Sequence, residues 1–192
     1  MRKRLMVGIV MFSLLFTGCG KKQDVSSLDI SSLDASKPNN FADCLVEMIQ
    51  EKDGERLYNF FSEETKAYDK NLLEESQAFV DSFEGDYVSY KMFSCESSEK
   101  SRVDEDDKYS EQIHANYTIT TTEETYFVSF YYTNETPKRE YLGLQTLGVQ
   151  IESEFDNDPC ICSGIHGCYV VTPDNHEELI ERRDYDLEHA DW

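Results

Sequence analysis

The chain has 192 residues, 39% of them hydrophobic and 12% aromatic, which fits one domain of ordinary size with a true core and excludes a disordered chain. It carries 39 Asp and Glu against 18 Lys and Arg, a formal net charge of −21. So acidic a surface is repelled by phosphate backbones and by anionic membranes, which argues against nucleic-acid binding and against attachment through a basic patch.

Residues 1–18 read as a signal peptide. Met1-Arg2-Lys3-Arg4 is a positive head, Leu5 to Phe16 is an apolar run, and Thr17-Gly18 gives small residues before Cys19. A hydrocarbon core of about 30 Å needs a helix of about 20 residues, so this run is too short to span and has the length of a signal-peptide apolar region. The stretch Leu15-Phe16-Thr17-Gly18-Cys19 resembles the lipobox of bacterial lipoproteins, with Phe16 where Leu is usual. The resemblance implies cleavage between Gly18 and Cys19 and a diacylglyceryl group on the Cys19 thiol. Two acyl chains are enough for stable anchoring. The expected location is therefore the extracytoplasmic face of the cell membrane. The alternative is an ordinary secretory signal with an incidental cysteine.

Residues 19–40 form the lipidated cysteine and a flexible tether, rich in Ser, Asp and Lys, spanning roughly 25 Å. A globular domain over 41–172 follows. Its first helix is expected after Pro38-Asn39-Asn40, with Asn40 as cap and Phe41, Leu45, Met48 and Ile49 as its apolar stripe. A short second helix is expected over 55–61. Ser62 to Thr65 punctuates, and a third helix runs over 72–83, with Gly85 suited to a left-handed stop. The period then changes to two. Tyr87 to Glu96 has strand composition, and residues 97–107 form a polar loop. Ile113, Ala115, Tyr117 and Ile119 alternate with His114, Asn116, Thr118 and Thr120 as a half-buried strand. Thr122-Glu123-Glu124 turns the chain into Tyr126–Tyr132, then strands are expected at Leu142–Ile151 and Cys168–Thr172. Residues 173–192 form an acidic tail, helical near Glu177–Arg183.

Helices first and a strand meander afterwards predict an α+β fold, its N-terminal helices packed on one face of a curved antiparallel sheet. This order is similar to that of the cone-shaped domains called nuclear transport factor two-like. Gln50-Glu51-Lys52-Asp53 before Leu57 and Phe60-Phe61-Ser62-Glu63, then Phe83-Glu84-Gly85 before Ser89-Tyr90, then Phe127-Val128-Ser129-Phe130-Tyr131-Tyr132 carry a closer likeness. Over residues 41–151 the chain resembles a family of Gram-positive lipoproteins of unknown function. That resemblance implies the cone-like fold and brings no known activity with it.

Five cysteines remain besides Cys19. Cys160, Cys162, His166 and Cys168 supply ligand types that suit zinc, but their spacing fits finger arrangements poorly. Disulfides or free thiols are the favoured alternative, with the pairing open. Asp104 to Asp107 lacks the glycine and distal Glu of a calcium loop. His166, His176 and His189 fall in loops or tail, and the strands put no carboxylate–histidine dyad on their inner face. No phosphate-cradling glycine motif, nucleophile elbow or His-Glu-x-x-His occurs, so no cofactor, metal or catalytic residue is expected. Tyr117, Tyr126 and Tyr132 on the strands are candidates for a ligand face, and ordinary strand composition is the favoured explanation of them.

These features predict a membrane-anchored, non-catalytic domain that binds a protein or a small ligand, its oligomeric state unspecified. Two alternatives stand beside it. One is a small-molecule isomerase or hydrolase of the cone-shaped fold; the other is an immunity-type lipoprotein whose acidity meets a basic toxin.

Overall fold

A computed structural model of the chain describes residues 38–100, 110–154 and 166–189, with side chains placed for 38–96, 110–154 and 166–182. The signal peptide, the lipobox and most of the tether lie outside the described residues, as do Asp104 to Asp107, Cys160 and Cys162.

Helix α1, Pro38–Glu51, buries Phe41, Ala42, Cys44, Leu45, Val46, Met48 and Ile49, a stripe wider than the expected four positions. It starts two residues before the expected cap, because Pro38 suits a first helical turn, where its missing N–H costs nothing. Lys52 follows in a left-handed conformation with φ 55°. Its Nζ donates to the carbonyls of Val80 and Phe83, at 2.8 and 2.7 Å. Asp53 then caps α2, Gly54–Phe60, its carboxylate accepting from the Arg56 N–H at 2.9 Å.

The stretch expected only to punctuate is a helix of its own. Ser62 accepts the Thr65 N–H at 3.1 Å and starts α3, Glu63–Tyr68. A serine cap followed by two acids at a helix N-terminus is a start signal as readily as a turn. Helix α4, Leu72–Asp81, ends two residues earlier than expected. Gly85 is left-handed with φ +79°, yet it serves the loop beyond the helix: a Cβ there would lie 2.6 Å from Thr122 Oγ1.

Five strands follow: β1 Tyr87–Lys100, β2 Ser110–Thr121, β3 Thr125–Glu135, β4 Gly143–Ile151 and β5 Gly167–Val171. They lie side by side in sequence order in one open sheet. The first four pair antiparallel, as expected, and β5 runs parallel to β4. The sheet is thus mixed. A parallel neighbour needs a crossover of a dozen or more residues, and the span between β4 and β5 is long enough to supply one.

The expected alternation of β2 holds. Ile113, Ala115, Tyr117 and Ile119 are buried opposite Tyr132, Phe130, Val128 and Tyr126 of β3. With the helix residues Phe41, Leu45, Met48, Leu57 and Phe79 they form one core. Phe41 lies edge-on to Phe130, ring centroids 4.6 Å apart. The fold is α+β, with helices followed by a sheet that does not close. The acidic C-terminal segment is helical from His176 to His189, here α5. Its Leu179 packs on Tyr169 and Val171, which by register share the sheet face of His114 and Asn116, away from α1 to α4. Among the described residues no helix is long and apolar enough to cross a membrane.

Candidate functional site

The three candidate ligand-face tyrosines lie in the core. Tyr117, Tyr126 and Tyr132 are 1%, 1% and 6% exposed. Tyr126 accepts the Glu84 N–H at 2.8 Å, Tyr117 stacks on Phe130 at 5.7 Å, and Tyr132 faces Phe41 at 6.2 Å. Burial pushes all three hydroxyls above the usual tyrosine range. Such placement is what the packing of a pleated, half-buried surface asks of these residues.

His166 is half-buried at the entry to β5 and Cys168 is buried within it; Cys160 and Cys162 lie outside the described residues. Cys44 is a buried free thiol and Cys95 an exposed one. Among the described residues no three His, Cys, Asp or Glu side chains come together as a metal site.

Where α3, α4 and β5 meet, a cluster forms that the strand alternation could not disclose. Asp69 closes α3 and is 8% exposed; its Oδ1 accepts the Asn71 N–H at 2.9 Å. Glu75, in the first turn of α4, faces it. Asp69 Oδ2 and Glu75 Oε2 are both buried, and neither takes a hydrogen bond from a protein donor. Two carboxyl oxygens so placed are satisfied when Glu75 carries a proton and donates it to Asp69. Desolvation first, then the Asp69 hydrogen bond and charge, push Glu75 up to about 7. The Arg182 guanidinium and the Cys168 backbone pull the other way. Arg182, from α5, lies 5.1 Å from the Tyr169 ring and 5.9 Å from that of Tyr68.

Gly167 makes this closeness feasible. Its φ is +128°, and a Cβ would stand 2.8 Å from Asp69 Oδ2 and 2.6 Å from the Tyr169 hydroxyl. Beside it His166 Nδ1 sits 3.2 Å from Glu64 Oε2. Sequence reasoning assigned Glu64 to a turn and gave Asp69 and Glu75 no role, because the groups arrive from four separate elements and no local spacing links them.

At the opposite end of β5 a cleft of about 360 Å³ opens, lined by neither Asp69 nor Glu75. Its apolar floor comes from Val149 and Ile151 of β4 and Val170 of β5, with Tyr126 beside them and Val171 at the margin, its side chain turned to the other sheet face; Ser82, at the end of α4, forms a wall. Glu154 and Asp174 stand at the rim, both exposed. The volume and the mostly apolar lining are those of a small-molecule site.

The sequence profile of DUF5104, a domain of unknown function, matches residues 44–154. The chain belongs to that family. The DUF5104 stretch takes in α1 from Cys44, then α2 to α4 and β1 to β4, so it holds Glu64, Asp69 and Glu75 but ends before His166, Arg182 and β5. The matched region also holds a polar network on the sheet face opposite the core. The His114 ring stacks on Tyr131 at 4.3 Å, its Nε2 lies 3.1 Å from Ser129 Oγ, and Asn116 donates to Ser94 Oγ at 2.8 Å. Burial lowers the pKa of His114, so this imidazole is neutral at pH 7. Comparison with curated proteins finds no significant match.

Proposed function

We propose that this DUF5104 chain is an extracytoplasmic lipoprotein, held at the cell membrane by acyl chains on Cys19, whose α+β domain binds a small ligand without transforming it. The cleft at the ends of β4 and β5 carries the binding half of this reading: it has the volume and apolar floor of a ligand site, and none of its described lining residues is a histidine or a nucleophilic thiol. The Leu15 to Cys19 lipobox likeness supports the anchoring half, together with the positive head and the apolar run before it. Four helices ahead of a strand meander fit the cone-shaped, nuclear transport factor two-like arrangement.

Two experiments test it. Membrane fractionation of the producing cell should find the protein in the membrane, and a Cys19→Ser chain should leave that fraction; equal partition of both would refute anchoring. A fragment library screened by NMR should move Val149, Ile151 and Val170 together. Hits confined to other surfaces would move the site elsewhere.

The enzyme reading is favoured by one observation, the Asp69–Glu75 pair with a proton that titrates near neutrality. Its distance in the fold from the cleft argues for a structural role. The immunity-type reading rests on the acid excess, and a basic protein partner is what it requires.

A further inference from the structure

Resting on the binding-domain reading, we infer that the cleft at the ends of β4 and β5 takes a small organic cation, an ammonium group on an apolar body of phenylalkyl size. The two halves of the cleft select for the two halves of such a ligand. Val149 and Val170 are register partners on the floor, and Ile151 extends it, so a hydrocarbon body there leaves water for an apolar wall. The rim carries Glu154 and Asp174, and no Lys or Arg is among the described lining residues. A carboxylate or phosphate entering the cleft would meet like charge with no counter-ion, whereas an ammonium would find two carboxylates at its mouth.

The rim is also built before the ligand arrives. Asn175 Oδ1 accepts the Thr172 N–H at 2.8 Å, Asn175 Nδ2 donates to the Val170 carbonyl at 2.9 Å, and the Asn175 N–H donates to the Thr172 carbonyl at 3.2 Å. These bonds fix the turn through Pro173 that holds Asp174, so binding orders little new chain. On the opposite wall Ser82 donates its hydroxyl to the Phe79 carbonyl at 2.7 Å, so its proton is already engaged.

The test is a methyl-detected NMR titration of the full chain with 2-phenylethylammonium and, separately, with 2-phenylethanol and phenylacetate. The ammonium should give saturable shifts at the Val149, Ile151 and Val170 methyls. It should bind about fivefold more tightly than the alcohol, with phenylacetate weakest, since an exposed ion pair contributes up to about 1 kcal/mol. In Glu154→Gln/Asp174→Asn the ammonium and the alcohol should become equal while the alcohol keeps its affinity. Both positions are exposed, so the variant should fold. Equal binding of ammonium and alcohol by the unaltered chain would overturn the cationic class and leave the binding cleft standing. Tightest binding by phenylacetate would overturn it too, and no saturable shift with any of the three would remove the cleft as a site for such ligands.

Discussion

Glu75 on α4 and Asp69 at the end of α3 face each other through two buried carboxyl oxygens that no protein donor satisfies, an arrangement that one proton on Glu75 would complete. The groups around them come from every element packed there: Glu64 from α3, His166 and Tyr169 from the β5 side, and Arg182 from α5. Glu75 titrates at about 7 in the fold against an ordinary value of 4.5, so between those values the folded chain holds a proton that the unfolded chain has released. Stability from this group is therefore full below about pH 4.5 and is lost as pH rises through about 7. Because Glu75 is partly exposed, the loss should be about 1–2 kcal/mol. Glu75→Gln keeps the hydrogen-bond donor and removes the charge. Urea denaturation at pH 5 and pH 8 should show the variant flatter than the parent and more stable at pH 8. A parallel pair of curves would contradict the shared proton. Comparison within the pair also cancels the opposite trend from His114, whose lowered pKa makes stability rise with pH below the ordinary histidine value.

Gly167→Ala should cost about 1–2 kcal/mol in the same assay. The left-handed backbone strains any side chain there, and the new methyl pushes against Asp69 Oδ2 and the Tyr169 hydroxyl. The tips of two side chains can move, so the chain should still fold, with the Glu75 titration displaced from its parent position. An unchanged titration and unchanged stability would show that the close approach does not constrain the carboxyl pair.

Tyr117→Phe separates packing from recognition. The Tyr117 hydroxyl is buried without a hydrogen-bond partner, so its removal should leave stability unchanged or raise it by about 0.5–1 kcal/mol. Ligand binding at the cleft should not change, since Tyr117 does not line it. A loss of binding would return the sheet tyrosines to the candidate ligand face. Tyr117→Ala is the contrasting variant and should cost about 3–5 kcal/mol through the cavity it leaves under Phe130.

The fold was legible wherever a period was long enough to count. The β2 alternation assigned Ile113, Ala115, Tyr117 and Ile119 to the core and His114 to the other face, and the Phe41 to Ile49 stripe located α1. Helix α3 was not legible, because six residues give too little period and its cap reads equally as a turn. The parallel direction of β5 depends on where the crossover lands, which strand composition does not encode. The carboxyl pair escaped for a different reason. Asp69 and Glu75 look like ordinary helix-end acids until α5 and Gly167 close over them, so only tertiary placement distinguishes them from the many acids left in water.

Ser62→Ala should destabilise the domain by about 1–2 kcal/mol. It removes the cap on Thr65 and the hydroxyl that links Thr65 and Gln145 in a buried network, at 2.9 and 3.2 Å. Ser62→Asp should recover the cap but not the network, where a second carboxyl oxygen meets Gln145 Oε1. Equal stabilities for the serine and aspartate chains would assign the whole effect to capping.

The binding half of the account operates at a membrane surface only if Cys19 is the mature N-terminus. Mass spectrometry of the N-terminal peptide from cells that make the protein decides this. The account predicts a chain beginning at Cys19 with a diacylglyceryl thioether. A retained Met1, or a Cys19 thiol without lipid, would contradict it.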